Sequence, residues 1–178
     1  MNITVYLGAN EGNDVSFINA VKELGVFIGK RGDTLVYGGS KTGLMGLIAD
    51  SVLNEGGPVI GVEPQMFIEQ KVQHRSLTQL IVTKDIPERR TKMIELGDAF
   101  IAFPGGTGTL EEISEIMSLV SLKRIKAPCM LYNLNGYYDG LKEQLDTMKK
   151  YDFSSSERQK GIYFVTDISE IEKVLGEI

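Results

Sequence analysis

The chain has 178 residues, of which 42% are hydrophobic and 24% charged, a composition that fits one globular domain with a substantial core. A net charge of −5 argues against a nucleic-acid partner held by bulk basicity, although a local basic pocket is compatible with it. The single cysteine excludes an internal disulfide, no apolar run approaches the roughly 20 residues of a membrane helix, and no signal-peptide pattern is visible. We therefore predict a cytoplasmic protein with one domain over residues 1–178.

Short, continuous apolar runs recur along the chain and are typical of strands that are covered on both faces. The predicted strands are 3–7, 34–37, 58–62, 77–82, 99–103, 129–132 and 163–165. Helical periodicity between them predicts helices at 15–31 (capped by Asn13 or Asp14), 44–54, 87–97, 113–122, 138–150 and 168–175. This alternation predicts an α/β, Rossmann-like fold: a doubly wound, mainly parallel sheet of about seven strands with helices on both faces.

Glycine-rich turns follow three of the predicted strands, at Gly8, at Gly38-Gly39 and at 104–109. Turns at the carboxyl ends of parallel strands line the ligand crevice, and glycine there lets the backbone approach a phosphate or ribose closely. The alternative is that they are only tight connections between strand and helix. Neither the G-x-G-x-x-G fingerprint nor a P-loop is present, which disfavours a nicotinamide-dependent enzyme and an ATPase.

The stretch 104–112, with the sequence PGGTGTLEE, combines a glycine-rich turn with two carboxylates. A turn that opens a helix presents unpaired N–H groups and the positive end of the helix dipole, which together attract phosphate. On a wheel of about 100° per residue, Glu112 falls among the apolar residues of the helix, whereas Glu111 and Glu115 fall on the polar side. A buried carboxylate needs a partner or a chemical role, so Glu112 is the catalytic candidate and Glu111 a partner of the helix dipole.

Two arginines, Arg89 and Arg90, occupy the first turn of the helix that Pro87 opens. The wheel places both within the arc of the apolar residues of that helix, and both oppose its dipole. Guanidinium groups bind phosphate or carboxylate in a bidentate manner, which indicates an anion site. The alternative, an ion pair with Glu112 or a neighbouring acid, is compatible with the same site.

The remaining reactive residues indicate no further chemistry. His74, the only histidine, is predicted to be a hydrogen-bonding loop residue, Cys129 to pack in the core and Lys41 to be solvated. No metal-ligand spacing is visible, and no lysine environment suits pyridoxal phosphate. We expect neither a metal nor a cofactor.

Several of these motifs resemble those of the LOG ("Lonely Guy") family, the cytokinin riboside 5'-monophosphate phosphoribohydrolases, whose bacterial members were long labelled lysine decarboxylases. PGGTGTLEE matches the family motif PGGxGTxxE, and the segments 37–46, 88–93 and 135–138 resemble further family motifs, so the resemblance spans nearly the whole chain. It implies a Rossmann-like homodimer with its sites near the subunit interface. The reaction that it implies is hydrolysis of the N-glycosidic bond of an AMP-like or N6-substituted adenine nucleotide to free base and ribose 5-phosphate.

By that resemblance, the catalytic residues are Arg89 and Glu112. Together with the glycine turns, it predicts a set of residues that bind substrate or phosphate: Gly8, Gly39, Arg90, Met93, Gly105, Gly106, Thr107, Gly108, Thr109 and Ser118.

Two positions depart from the family pattern. Arg90 replaces the usual lysine, and Lys71 stands where many members have a substrate-binding glutamate, with Glu69 two residues away. A non-catalytic module that binds or senses a nucleotide is the competing interpretation. Glu112 and the arginine pair favour an enzyme, because a sensor has no use for a carboxylate near the glycosidic carbon.

Overall fold

Strands and helices alternate along residues 1–177, which are the residues that the structure, a computed structural model, describes. The predicted domain boundary at Ile178 lies outside them. The elements in chain order are β1 Asn2–Tyr6, α1 Val15–Lys30, β2 Thr34–Tyr37, α2 Gly43–Asn54, β3 Val59–Pro64, α3 Gln65–Glu69, β4 Gln79–Thr83, α4 Ile86–Leu96, β5 Ala99–Ala102, α5 Thr107–Ser121, β6 Cys129–Tyr132, the 3-10 turn Leu134–Gly136, α6 Asp139–Lys150, β7 Ile162–Val165 and α7 Ile168–Gly176.

The strands form one sheet in the order β4-β3-β2-β1-β5-β6-β7, and all neighbouring pairs are parallel. The chain winds outwards from β1 to β4, returns to the centre and winds the other way from β5 to β7. The predicted doubly wound α/β sheet is confirmed. The reversal leaves a crevice where β1 and β5 end, which is where ligands bind in open α/β sheets.

Two layers of helices cover the two faces of the sheet. One apolar cluster joins the sheet to α1, α2 and α7, through residues such as Leu24, Ile48 and Ile171. The other joins it to α4, α5 and α6, through residues such as Met93 and Ile116. Strands that are covered on both faces are mostly apolar, which is why their runs were recognisable in the sequence.

Local capping fixes where several helices begin. The side chain of Asp14 accepts a hydrogen bond from the Ser16 N–H at 2.8 Å, so Asp14 rather than Asn13 caps α1. Asp85 caps α4 through the Glu88 N–H at 2.9 Å and Pro87 lies in its first turn, as predicted. No helix of residues 1–177 has the length and apolar character needed to cross a membrane.

The main departures from the predicted elements surround the crevice. Helix α5 begins at Thr107 instead of residue 113, so the Gly-Thr residues form its first turn. Strand β3 continues past residue 62 to Pro64 and therefore includes Glu63. The short helix α3, which has no buried residue, follows directly and was not predicted.

Candidate active site

A cavity of about 460 Å³ lies in the crevice at the carboxyl ends of β1 and β5. The loop after β1 and the first turn of α5 form one side, where Gly8 and residues 105–109 line it. Arg89 of α4 and Glu112 of α5 line its polar base. The apolar wall consists of Phe17, Leu44, Met45, Phe67 and Tyr137. The cavity thus joins a polar end to an apolar end, as a nucleotide site requires.

The start of α5 supplies the polar end. Gly106 is the N-cap residue and makes no side-chain cap, and the N–H of Leu110 donates to the Gly106 carbonyl at 3.1 Å. The N–H groups of Thr107, Gly108 and Thr109 precede this bond, so they have no acceptor within the helix. They form the positive end of the helix dipole at the cavity, where an anion is stabilised.

Gly105 has to be glycine because three segments meet around it. A Cβ atom there would lie 2.2 Å from Thr109 Oγ1 and 2.8 Å from the Gly8 nitrogen. The Gly8 N–H also donates to the Pro104 carbonyl at 3.4 Å. The turn after β1 is therefore packed directly against the turn after β5, which fixes the shape of the cavity wall that Gly8 and Gly105 line.

Arg89 and Glu112 form a buried ion pair at the base of the cavity. Arg89 Nη1 donates to Glu112 Oε1 at 2.8 Å, and Arg89 Nε donates to the Val62 carbonyl at 3.0 Å. The two side chains are 16% and 9% exposed. Burial raises the pKa of the Glu112 carboxyl, and the charge and hydrogen bond of Arg89 oppose that rise without cancelling it. The predicted burial of Glu112 is confirmed, and the two predicted catalytic residues are in contact.

Arg90 points away from this pair. Its Nη1 donates to Glu111, its Nε lies 3.1 Å from Glu115 Oε2, and all three side chains lie at the surface shared by α4 and α5. Arg90 does not line the cavity. The helical wheel predicted the same inward face for both arginines, and the structure separates them.

Three other residues predicted to bind substrate also lie outside the cavity. Met93 is fully buried in the core under α4, and Ser118 is exposed on α5. Gly39 has a φ of +85° and packs against the side chain of Glu63. Of the predicted site residues, the structure therefore brings together Gly8, residues 105–109, Arg89 and Glu112.

The reactive residues to which the sequence assigned no chemistry lie outside the cavity. His74 Nε2 lies 3.0 Å from Asp50 Oδ1, and its Nδ1 accepts from the Ser76 N–H at 3.2 Å, so it is the predicted hydrogen-bonding loop residue. Cys129 is buried in β6 as predicted. Lys71 and Glu69 are both exposed and do not line the cavity. Residues 1–177 contain no cluster of three or more His, Cys, Asp or Glu side chains with metal-binding geometry.

Sequence reasoning missed two residues beside the site. The Tyr137 hydroxyl donates to the Gly105 carbonyl at 2.5 Å, and its ring meets that of Phe17 edge-on at 6.1 Å, so Tyr137 closes the glycine turn from outside. Glu63 is a buried carboxyl behind Arg89. The signals were available: two adjacent tyrosines follow a glycine at 136, and a glutamate lies between an apolar run and a proline.

Comparison with known proteins places the chain among enzymes. Residues 45–175 match the family described as "Possible lysine decarboxylase". The chain is 41% identical over 138 residues to a cytokinin riboside 5'-monophosphate phosphoribohydrolase of Rhodococcoides fascians, covering 77% of this chain and 70% of that protein. It is 36% identical over 175 residues to the cytokinin riboside 5'-monophosphate phosphoribohydrolase LOG1 of Arabidopsis thaliana, covering 98% of this chain and 82% of that one.

Solved structures share the fold at lower identity. The molybdenum cofactor binding protein from Rippkaea orientalis superposes with a TM-score of 0.74 at 21% identity, covering 99% of this chain and 95% of that one. A Moco carrier protein from Chlamydomonas reinhardtii gives a TM-score of 0.73 at 20% identity, covering 99% and 98%. At such identities the likeness concerns the fold alone. The family match and the curated relatives, which agree with the motif resemblance, show that the chain belongs to the LOG family of cytokinin riboside 5'-monophosphate phosphoribohydrolases.

Proposed function

We propose that this protein is a nucleoside 5'-monophosphate phosphoribohydrolase, which hydrolyses AMP-like or N6-substituted adenine (cytokinin) nucleotides to free base and ribose 5-phosphate. The observation that carries the proposal is the buried Arg89–Glu112 pair in one cavity with the open N-terminus of α5. The names of the relatives at 41% and 36% identity support the same reaction.

The 5'-phosphate binds at the first turn of α5 in this proposal. The N–H groups of residues 107–109 and the helix dipole attract the phosphate, and the packed turn at Gly105 sets its position. Binding energy from this remote group is then used to orient the ribose over Glu112. The apolar wall with Phe17 and Phe67 is the surface for the base.

Glu112 acts on the ribose. When the bond between C1' and the base nitrogen breaks, its electron pair leaves with the base, and positive charge develops on the ribose ring. The Glu112 carboxylate stabilises that charge and accepts a proton from the water that adds to C1'. The base takes up a proton, so the atoms balance. Arg89 holds Glu112 in place through the contact of 2.8 Å.

The quaternary part of the proposal is a homodimer with its sites near the subunit interface. Arg90 and Ser118 lie at the surface of α4 and α5, outside the cavity of their own subunit, and only a neighbouring subunit gives them access to a substrate. Met93 and Gly39 support the site indirectly, since Met93 packs under α4 and Gly39 against Glu63.

We also propose a cytoplasmic location, which the lone, buried thiol of Cys129 supports.

A panel of nucleotides tests the reaction against the competing binding module. The chain is incubated with AMP, N6-isopentenyl-AMP, GMP, CMP and adenosine, and free base is followed by chromatography. We expect base release from adenine monophosphates and little from adenosine, which lacks the phosphate. Glu112→Gln should abolish release, whereas Glu111→Gln, the matched exposed neighbour, should retain it. No release from any monophosphate would favour the binding module, and normal turnover by Glu112→Gln would remove Glu112 from the mechanism.

A pair of glycine substitutions tests the phosphate position. A Cβ atom at Gly108 meets nothing within 4 Å, so Gly108→Ala should fold normally and raise KM, because its methyl group lies at the phosphate end of the cavity. Gly105→Ala should in addition lose roughly 1–3 kcal/mol of stability through the clash with Thr109 and Gly8. Thermal unfolding and KM for the preferred monophosphate give the two readouts. An unchanged KM in Gly108→Ala would place the phosphate elsewhere.

A further inference from the structure

A second buried carboxyl lies behind Arg89, outside the cavity. Glu63 is the penultimate residue of β3, and only 1% of its surface is exposed. Its Oε2 is buried and has no hydrogen-bond partner among residues 1–177. A buried carboxyl without a donor is costly in a stable core unless it has a function.

The backbone around Glu63 is shaped to accommodate it. A Cβ atom at Gly39 would lie 3.1 Å from Glu63 Cβ and 3.5 Å from its Cδ. Gly39 also has a φ of +85°, which favours glycine. The predicted site residue Gly39 therefore serves Glu63 and contributes nothing to the cavity wall.

Arg89 lies between Glu63 and Glu112 and connects the two carboxyls. Its Nε is held by the carbonyl of Val62, the residue before Glu63, and its Nη1 by Glu112. A Cβ atom at Gly38 would lie 2.5 Å from Arg89 Nη2, so the guanidinium is confined between Gly38, at the carboxyl end of β2, and Glu112. Burial raises the pKa of Glu63 to about 7, and the Arg89 charge opposes that rise.

Among residues 1–177, the other groups that face Glu63 bring no second cation to its carboxyl. Tyr37 of β2 donates its hydroxyl to the Ser40 carbonyl and is sensitive to the Glu63 charge. Asp50 of α2 forms a hydrogen bond with the His74 side chain, and the backbone N–H of His74 donates to the Gly39 carbonyl. The partner of Glu63 on β4 is Val82. Arg89 is thus the charge that stabilises ionised Glu63, and it also serves Glu112 of α5.

We propose that Glu63 is a positioning residue that acts through Arg89: as a neutral acid it leaves the guanidinium to Glu112, and as a carboxylate it competes with Glu112 for it. Ionised Glu63 partly neutralises the charge of Arg89 and so leaves Glu112 the stronger base, while the hydrogen bond of 2.8 Å from Arg89 keeps Glu112 oriented. Hydrolysis therefore speeds up as Glu63 loses its proton. This inference rests on the proposed function of Arg89 and Glu112, but the coupling of the two carboxyls does not require any particular substrate.

The coupling is measured first without substrate. Full-length protein labelled with ¹³C at the glutamate side-chain carboxyls is titrated by NMR from pH 5 to 9, with Glu112 assigned through Glu112→Gln. We expect one carboxyl to titrate near pH 7, with the Glu112 signal moving in step, and both features to vanish in Glu63→Gln. Glu157→Gln, which removes a surface carboxylate paired with Lys123 at 2.9 Å, is the control and should keep them. Glu63→Met replaces the glutamine variant if that one does not fold.

The pH profile of kcat/KM is measured next on the monophosphate that the panel identifies. The wild type should gain about three- to tenfold in kcat/KM across the titration near pH 7, and Glu63→Gln should stay at the lower level. The inference is overturned if Glu112 titrates in Glu63→Gln as it does in the wild type. It is also overturned if kcat/KM of Glu63→Gln still rises near pH 7. If the two carboxyls titrate together but no nucleotide is hydrolysed, the proposed function is wrong and the coupling still holds.

Discussion

Two neighbouring arginines on α4 meet two neighbouring glutamates on α5, yet the resulting ion pairs lie in different surroundings. Arg89 and Glu112 are 16% and 9% exposed and line the cavity, whereas Arg90 and Glu111 are 24% and 59% exposed and lie outside it. The same chemical groups are therefore present twice. Solvent screens the outer pair, so its attraction is weak, whereas the inner pair interacts in a less polar site where burial raises the pKa of Glu112.

The largest expected effect comes from removing the inner cation. Arg89→Met leaves Glu112 buried without a counter-charge and should lower the free energy of unfolding by about 3–5 kcal/mol at pH 8. Hydrolysis should fall by roughly 10³-fold, since Glu112 loses its orientation. Arg90→Met is the matched control and should change stability by less than about 1 kcal/mol. Urea denaturation and kcat/KM check both variants, and equal losses in the two would abolish the distinction between inner and outer pair.

The destabilisation of Arg89→Met should also depend on pH. Without Arg89 the pKa of Glu112 and that of Glu63 rise further above their values in the unfolded chain. For a carboxyl whose pKa is raised by folding, stability is fully present below the unfolded pKa and is lost as pH rises through the folded pKa. The deficit relative to wild type should therefore be smaller at pH 4.5 than at pH 8. A constant deficit would assign the loss to packing.

A double substitution separates stability from activity in the inner pair. Arg89→Met with Glu112→Leu removes the uncompensated carboxylate, and unfolding should recover about 1–3 kcal/mol relative to Arg89→Met alone. Hydrolysis should not recover, because the group that acts on the ribose is gone. Denaturation of the single and double variants gives the coupling. A double variant as unstable as the single one would show that Glu112 is not the source of the destabilisation.

A further test concerns Glu63, the carboxyl on the far side of Arg89 from Glu112. Because burial raises the pKa of Glu63 to about 7, its contribution to stability should decline between the unfolded value of about 4.5 and pH 7 and then stay level. Glu63→Gln removes this decline, so the variant should gain about 3 kcal/mol relative to wild type between pH 4.5 and pH 8. Thermal unfolding at several pH values measures it. A parallel pH dependence in the two proteins would mean that Glu63 stays unperturbed.

Short-range periodicity in the sequence identified Glu112 of the inner pair, whereas Arg89 was assigned by the family resemblance. A helix turns by a fixed angle per residue, so Ile113 and Ile116 on α5 were enough to predict that Glu112 turns inward. The central strands β1, β2, β5 and β6 were recognisable for a similar reason, since they are mostly apolar and covered on both faces.

What the sequence left open depends on contacts between distant segments. On α4 only Met93 is fully buried, so its apolar arc was too broad to separate Arg89 from Arg90. Glu63 lay just beyond the predicted strand 58–62, and its surroundings come from distant segments, since Gly39 packs against its side chain and the charge of Arg89 acts on its carboxyl. Helix α5 begins six residues before its predicted start at 113. The glycine and threonine residues of its first turn have weak helix propensity, and the turn before them is fixed by the packing of Gly105 against Thr109 and Gly8.

The smallest effect is expected in the outer pair, and its kinetics test the proposed dimer. Glu111→Gln removes one partner of Arg90 at the surface and should change stability by less than about 1 kcal/mol. If Arg90 contacts the substrate bound in a second subunit, Arg90→Met should raise KM with kcat little changed, because the lost contact is equal in ground and transition states. Sedimentation of the same samples reports the oligomeric state. A dimeric Arg90→Met with an unchanged KM would confine substrate binding to the inner pair and the start of α5.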